Sequence, residues 1–268
     1  MTEFKDYFSD VAPSYRDYRP HYPERLFEHL ASIAPERSMA WDCATGNGQA
    51  ARMLAPYFDR VIATDASASQ VENAEIVEGV VYRVAAAEST DIESQSVDLV
   101  TVAQALHWFD LPAFTLEVQR VCKPGAVLAV WSYAILESTP PVDAVIERLY
   151  SGILGDYWTD ERRIVVEGYR DVNFPFESLA LPTFAMRAHW SLDHLLGYLS
   201  TWSAARRYRR RHGEDPIALI AADLADAWGD PQSGIEVSWP LTVRLWRVSD
   251  SADRAGSVQT LATPGTRA

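Results

Sequence analysis

Residues 41 to 48 read Trp41-Asp42-Cys43-Ala44-Thr45-Gly46-Asn47-Gly48, and Gln49-Ala50-Ala51-Arg52-Met53-Leu54 follows. An acidic residue closes an apolar run, a tight turn containing glycine comes next, and a helix opens. Gly46 and Gly48 let the backbone turn sharply and approach a ligand with no Cβ in the way. The helix start adds unpaired N–H groups and a partial positive charge. Asp65 stands 23 residues after Asp42, behind a second apolar run, Arg60-Val61-Ile62-Ala63-Thr64. An acidic residue at the end of a second strand is where an adenosine ribose is gripped in doubly wound folds.

The pattern continues outward as an alternation. Strands are expected at Met39 to Cys43, Arg60 to Thr64, Val80 to Ala85, Val97 to Val102 and Ala126 to Trp131. Helices are expected at about Gln49 to Tyr57, Ser67 to Val77 and Leu111 to Val121, and Lys123-Pro124-Gly125 reads as a turn. Strands that are apolar on both faces and alternate with helices argue a parallel sheet covered on two sides. Upstream, Leu26, Phe27, Leu30 and Ile33 recur at helical spacing over Glu24 to Ile33.

The second half reads differently. Helices are expected over Pro140 to Leu154, Leu192 to Tyr208 and Pro216 to Trp228, the last stopped by Gly229. Leu179 to Trp190 reads as a strand with Pro182 at an edge or bend. Glu236 to Val248 reads as a strand in which Val243 and Leu245 alternate with Arg244 and Arg247. The fold expected is therefore α/β: a doubly wound, mostly parallel seven-stranded sheet ending in an antiparallel pair, with a helical cap over about residues 132 to 180. Residues 1 to 248 form one domain, and residues 249 to 268, small and polar, a disordered tail.

Composition narrows the function. The chain has 268 residues, 48% of them hydrophobic, which suffices for a full core. Its net charge of −13 opposes phosphate backbones and anionic membranes, so neither nucleic acid nor membrane is expected as a partner. No apolar run spans a bilayer and no signal peptide is apparent, so the expected compartment is the cytoplasm. Cys43 and Cys122 read as reduced, partly buried thiols. The six histidines show no metal-ligand spacing with carboxylates or cysteines, so no metal is expected.

Glycine turns of this kind serve NAD, FAD and S-adenosylmethionine alike, and some are only turns. Taken in order, the motifs resemble class I S-adenosylmethionine-dependent methyltransferases, specifically the small-molecule group that includes trans-aconitate methyltransferase. Asp42 to Gly48 is similar to that family's first motif, Asp65 to its acidic residue after the second strand, and Ala87-Glu88 to the segment facing adenine. Val97 to Val102 running into Gln104-Ala105-Leu106-His107-Trp108-Phe109 is similar to its fourth strand, and Arg120 to Gly125 to the turn before the fifth. Many relatives carry a further glycine where this chain has Ala44. The change is mild at negative φ and costly in a left-handed conformation.

The resemblance implies S-adenosylmethionine as cofactor, S-adenosylhomocysteine as product and a small-molecule acceptor, in a monomer or homodimer. Asp65 would accept both ribose hydroxyls; its structural alternative is an N-cap for the segment starting at Ser67. Ala87 and Glu88 would receive the adenine, with Glu88 alternatively a solvated loop charge. The turn through Ala44, Gly46 and Gly48 would lie under the methionine and ribose. Asp42 would order the turn or reach the amino group through water. Gln104 would meet the methionine end. Tyr15 and Arg19, in a Tyr-x-x-x-Arg-Pro stretch, would fold over the cofactor, with Arg19 on its carboxylate or, alternatively, stacked on the surface. His107 is the candidate base for an acceptor that needs one, or else a buried histidine bonded to a backbone carbonyl. His107, Trp108, Trp131, Tyr133 and Trp158 are the pocket candidates, with Tyr169 and Trp202 behind them. The run Arg206 to Arg211 reads as a solvated helix end able to pair with Asp215, Asp223 or Asp226. A nicotinamide-dependent reductase is disfavoured, because the turn lacks the third glycine of the dinucleotide fingerprint and no Tyr-x-x-x-Lys pair stands where hydride transfer would need it; a non-catalytic protein that binds S-adenosylmethionine in a regulatory role is the alternative.

Overall fold

The computed structural model describes Tyr18, residues 20 to 159 and residues 161 to 249, without the side chains of Glu161 and Arg163. Five parallel strands form the centre: β1 (Met39–Cys43), β2 (Arg60–Asp65), β3 (Val80–Val84), β4 (Val97–Ala103) and β5 (Cys122–Tyr133). The sheet runs β3-β2-β1-β4-β5 and then β8 (Ile235–Arg247), which lies antiparallel to β5. Strands β6 (Glu177–Leu179) and β7 (Phe184–Trp190) lie end to end along the far edge of β8. They occupy one strand position, which reconciles eight segments with the seven-stranded expectation. Leu179 pairs with Leu245 and Phe184 with Leu241, so four residues, 180 to 183, face three, 242 to 244. Pro182, which cannot donate to a ladder, sits in that bulge on the edge.

The strands form because both of their faces are covered. Trp41, Val100, Leu128 and Val130 point to one face, under α4 (Leu111–Val121) and α6 (Glu161–Val166). Ala40, Leu99, Val127, Ala129 and Trp131 point to the other, under α1 (Glu24–Ile33) and α2 (Gln49–Leu54). Helix α4 starts where Asp110 accepts the Ala113 N–H and Pro112 stands in the first turn, and it buries Phe114, Val118 and Val121.

Several expected boundaries move. The Lys123-Pro124-Gly125 turn lies inside β5 as a bulge: Val97 pairs with Cys122, but Leu99 already pairs with Val127. Gly125 takes φ +77° there and donates to the Val248 carbonyl. The segment Leu192 to Tyr208 is two helices, α7 (Leu192–Ser200) and α8 (Ser203–His212). The Thr201 hydroxyl donates to the Tyr198 carbonyl at 2.6 Å, and Trp202 turns extended at the break. Helix α9 (Ala221–Trp228) begins later than Pro216, because the Asp215 carboxylate holds Ile217 N–H in a turn. The helix from Pro140 stops at Glu147 (α5) and continues as a π turn, Arg148–Ile153, and a short 3-10 turn, Gly155–Tyr157. Helix α3 is short, Ala68–Glu72, and Ser67 caps it.

The expected cap range accounts for α5 and α6 alone. Helices α7, α8 and α9, inserted between β7 and β8, pack with them, and an Arg148–Asp223 ion pair ties the π turn after α5 to α9. Among the described residues, no helix is long and apolar enough to cross a membrane.

Candidate functional site

Strand order places the site. The chain leaves β1 toward β2 and β3, then returns to the other side of β1 as β4. The crevice at the carboxyl ends of β1 and β4 is thus a topological switch point, where doubly wound sheets hold ligands. The expected motifs converge there.

Asp42 is 1% exposed and sets the turn after β1. Its oxygens accept the hydroxyls of Thr45 at 2.6 Å and Thr101 at 2.7 Å, and it also takes the Ala51 N–H of α2. Burial pushes its carboxyl up to about 6, against the downward pull of those donors. Asp42 is therefore an organiser of the turn. The turn is left-handed at Ala44 (φ 54°), Gly46 (φ 57°) and Gly48 (φ 84°). Ala44 thus stands in the conformation that makes the missing glycine costly. Gln104, at the end of β4, is also left-handed (φ 59°). The ends of the two central strands both carry strained non-glycine residues, as functional sites do.

Asp65, half-buried, receives Gly46 N–H at 2.9 Å and Ser67 N–H at 2.9 Å, one on each oxygen. The cap of α3 is Ser67, so Asp65 is not the N-cap; it ties β2 to the glycine turn. Tyr82 of β3 was not anticipated. A Cβ on Gly48 would stand 2.2 Å from the Tyr82 hydroxyl oxygen. That oxygen is buried and has no hydrogen-bond partner among the described residues. An orphaned hydroxyl beside a bare backbone turn fits a ligand with its own polar atoms. A parallel register brings Tyr82 level with Ala63, a relation that no local motif announces.

Ala87 is buried. Glu88 is half-buried, and its Oε1 accepts Asp110 N–H at 2.9 Å, linking the loop to the start of α4. Gln104 donates its backbone N–H to the Trp131 carbonyl at 2.9 Å and its side-chain amide to the Tyr133 carbonyl at 3.0 Å. Its backbone N–H and one amide N–H are committed to β5, and its carbonyl oxygens are the groups that suit a cationic amino group.

His107 lies in a 3-10 turn, Leu106–Trp108, and its Nδ1 is 3.1 Å from the Tyr169 hydroxyl. Its Nδ1 thus faces a tyrosine hydroxyl. Trp108 packs on His107 with ring centroids 4.6 Å apart and is 40% exposed. The other pocket candidates are scattered. Trp131 is fully buried on the opposite face, edge-on to Tyr22 and Phe27, so it is core and not a pocket wall; its indole N–H has no partner among the described residues. Trp158 belongs to the cap, tilted against the rings of Tyr150 and Trp202, its N–H on the Tyr150 carbonyl at 3.0 Å. Tyr133 enters through its carbonyl on Gln104. Tyr15 and Arg19 lie outside the described residues, as do residues 250 to 268 of the tail. Their neighbours are placed: Tyr18 meets His194 of α7 edge-on at 5.0 Å, and the Pro20 carbonyl takes the Gln49 amide at 2.8 Å.

In the arginine run, Arg209 pairs with Asp215 at 3.0 Å and Arg207 bonds the Tyr157 carbonyl; Asp223 is taken by Arg148. Cys43 and Cys122 are free and fully buried, and burial raises both thiols. Among the described residues, no group of histidine, cysteine and carboxylate side chains is placed to hold a metal ion.

Known proteins place this geometry. A profile for the "Methyltransferase domain" matches residues 41–130, from β1 into β5. A protein of Dictyostelium discoideum assigned as a methyltransferase is 37% identical over 252 residues, 91% of this chain and 95% of its own length. One of Saccharomyces cerevisiae, assigned as S-adenosylmethionine-dependent, is 26% identical over 168 residues, 58% of each chain. A solved structure from Anaeromyxobacter dehalogenans, assigned as a type II methyltransferase, is 45% identical with a TM-score of 0.83, covering 87% of this chain and 99% of that one. The crevice, the left-handed turn and these likenesses agree, and the chain belongs to the class I S-adenosylmethionine-dependent methyltransferases.

Proposed function

We propose that this methyltransferase uses S-adenosylmethionine to methylate an oxygen, carboxylate or hydroxyl, of a small molecule, in the manner of the group that includes trans-aconitate methyltransferase. The observation that carries the reading is Asp65, a half-buried carboxylate fixed by Gly46 and Ser67 N–H groups beside a left-handed turn in which Gly46 and Gly48 carry no side chain. Asp65 would hold the ribose hydroxyls, and the turn from Ala44 to Gly48 would pass beneath the ribose and methionine. Gln104 would offer its oxygens to the amino group. Ala87 would floor the adenine. Tyr15 and Arg19 would close over the cofactor from the amino-terminal segment.

When bound, the cofactor supplies a sulfonium methyl group as an activated donor. The acceptor oxygen's lone pair forms the new bond to carbon as the carbon–sulfur pair leaves with sulfur. The residues of this chain then have to orient the oxygen in line with the methyl group and exclude water. His107 and Trp108 border that position at the end of β4. The partners expected are the acceptor alone, with neither nucleic acid nor membrane, and the setting the cytoplasm. The test is turnover of labelled S-adenosylmethionine against a panel of small carboxylic acids, trans-aconitate among them, and phenols. Transfer to an oxygen acceptor supports the reading; transfer to amines or thiols only would replace it.

A further inference from the structure

Tyr169 is 1% exposed and follows Gly168, both with left-handed backbone (φ 55° and 64°). The Arg244 guanidinium of β8 clamps this bend by donating to the carbonyls of Tyr169, Arg170 and Val172. The clamp holds the Tyr169 ring nearly parallel to the His107 ring, at an interplanar angle of 20°, with its hydroxyl 3.1 Å from Nδ1. Burial pushes the Tyr169 phenol far above its ordinary range, so it keeps its proton; the Leu106 N–H and the Arg162 charge only partly offset this.

Satisfaction of that hydroxyl fixes the histidine. The nearby Leu106 N–H can only donate, so it offers the hydroxyl proton no acceptor. The hydroxyl proton then needs an acceptor, and among the described residues the one within hydrogen-bond reach is His107 Nδ1. The opposite arrangement, Nδ1–H donating to Tyr169, would strand a buried O–H proton.

We infer that Tyr169 is a positioning residue that holds His107 in the tautomer protonated on Nε2, making His107 a hydrogen-bond donor to the acceptor rather than a base. The inference rests on the methyl-transfer reading for its consequence. A site without a base takes an acceptor oxygen that arrives ionised, and a carboxylate is that class: ester formation releases no proton. Arg162 supplies matching charge. It lies over the Trp158 ring at 4.7 Å, and its Nε is buried without a hydrogen-bond partner among the described residues.

The direct test is the nitrogen-15 spectrum of the His107 ring in the unliganded protein at about pH 8, where an ordinary histidine is neutral. A protonated Nε2 and an unprotonated Nδ1 are expected; a proton on Nδ1 overturns the inference. Tyr169→Phe should mix the two tautomers, and an unchanged tautomer there removes Tyr169 from the account. Neither result depends on cofactor or acceptor, so failure here is separate from failure of the functional reading. In turnover with small carboxylic acids, His107→Gln keeps an N–H donor where Nε2 stood and should stay within about fivefold of the native rate, whereas His107→Ala should lose roughly 10- to 100-fold. Equal loss in both would mean that His107 acts as a base.

Discussion

Asp42 of β1 accepts the hydroxyl of Thr101 of β4 at 2.7 Å, joining the two strands whose ends frame the switch-point crevice. The bond ties the sheet's centre to the glycine turn, because the same carboxylate also holds Thr45 and the start of α2. The site is therefore built on a buried acid whose charge is costly.

That cost gives the first prediction. The Asp42 carboxyl is raised to about 6 from an ordinary 3.8, mainly by burial. A group raised on folding is harmless below its unfolded value and costs stability as pH climbs through its folded one. The difference of about two units corresponds to about 3 kcal/mol lost between roughly pH 4 and pH 6. Denaturant titrations of native protein and Asp42→Asn across that window should show their stability difference shifting by about this amount in favour of the variant as pH rises. A constant difference would mean that Asp42 titrates normally.

Ala44 carries a left-handed backbone that glycine adopts without penalty. Ala44→Gly should raise unfolding stability by about 1 kcal/mol, visible as a higher melting temperature. An unchanged or lower midpoint would show that the turn relaxes around alanine.

Gly48 has two reasons to be glycine, its φ of 84° and the Tyr82 hydroxyl at 2.2 Å from any Cβ. Gly48→Ala should destabilise by about 2 kcal/mol or more. Adding Tyr82→Ala should recover the steric share and leave the conformational one. Strict additivity in that double-mutant cycle would exclude the contact.

Asp98 is fully buried at the start of β4, with Lys123 at 2.9 Å and the Ser38 and Met39 N–H groups on its other oxygen. Removing the cation leaves a buried charge without its partner, so Lys123→Ala should cost about 3 kcal/mol. Glu36, the exposed second partner of Lys123, should be replaceable by glutamine with little effect. Similar losses in the two variants would contradict this division.

What the sequence made legible was local. The apolar runs at Met39–Cys43 and Val97–Ala103 specify strands because both faces are buried, and Asp110-Leu111-Pro112 announces a helix start by capping chemistry. The turn at Ala44 to Gly48 was legible because left-handed backbone selects small residues. What lay hidden depended on register and distance. Tyr82 meets Gly48 only through the pairing of β2 with β3, and Arg244 reaches the Tyr169 bend across 75 positions. Trp131 and Trp158 looked alike as aromatic candidates, yet the pleat sends one into the core and the cap takes the other. The Thr201 break in the expected long helix came from a side chain competing for a carbonyl, which periodicity does not register.

The central claim is that Asp65 and the turn beside it hold S-adenosylmethionine. Isothermal titration of native protein and Asp65→Ala with S-adenosylmethionine and S-adenosylhomocysteine, with NAD as control, tests it most directly. The account predicts that native protein binds the first two and not NAD, and that the variant, folded by its melting curve, binds both roughly 10- to 100-fold more weakly. Equal affinity in the two proteins, or binding of NAD alone, would contradict it.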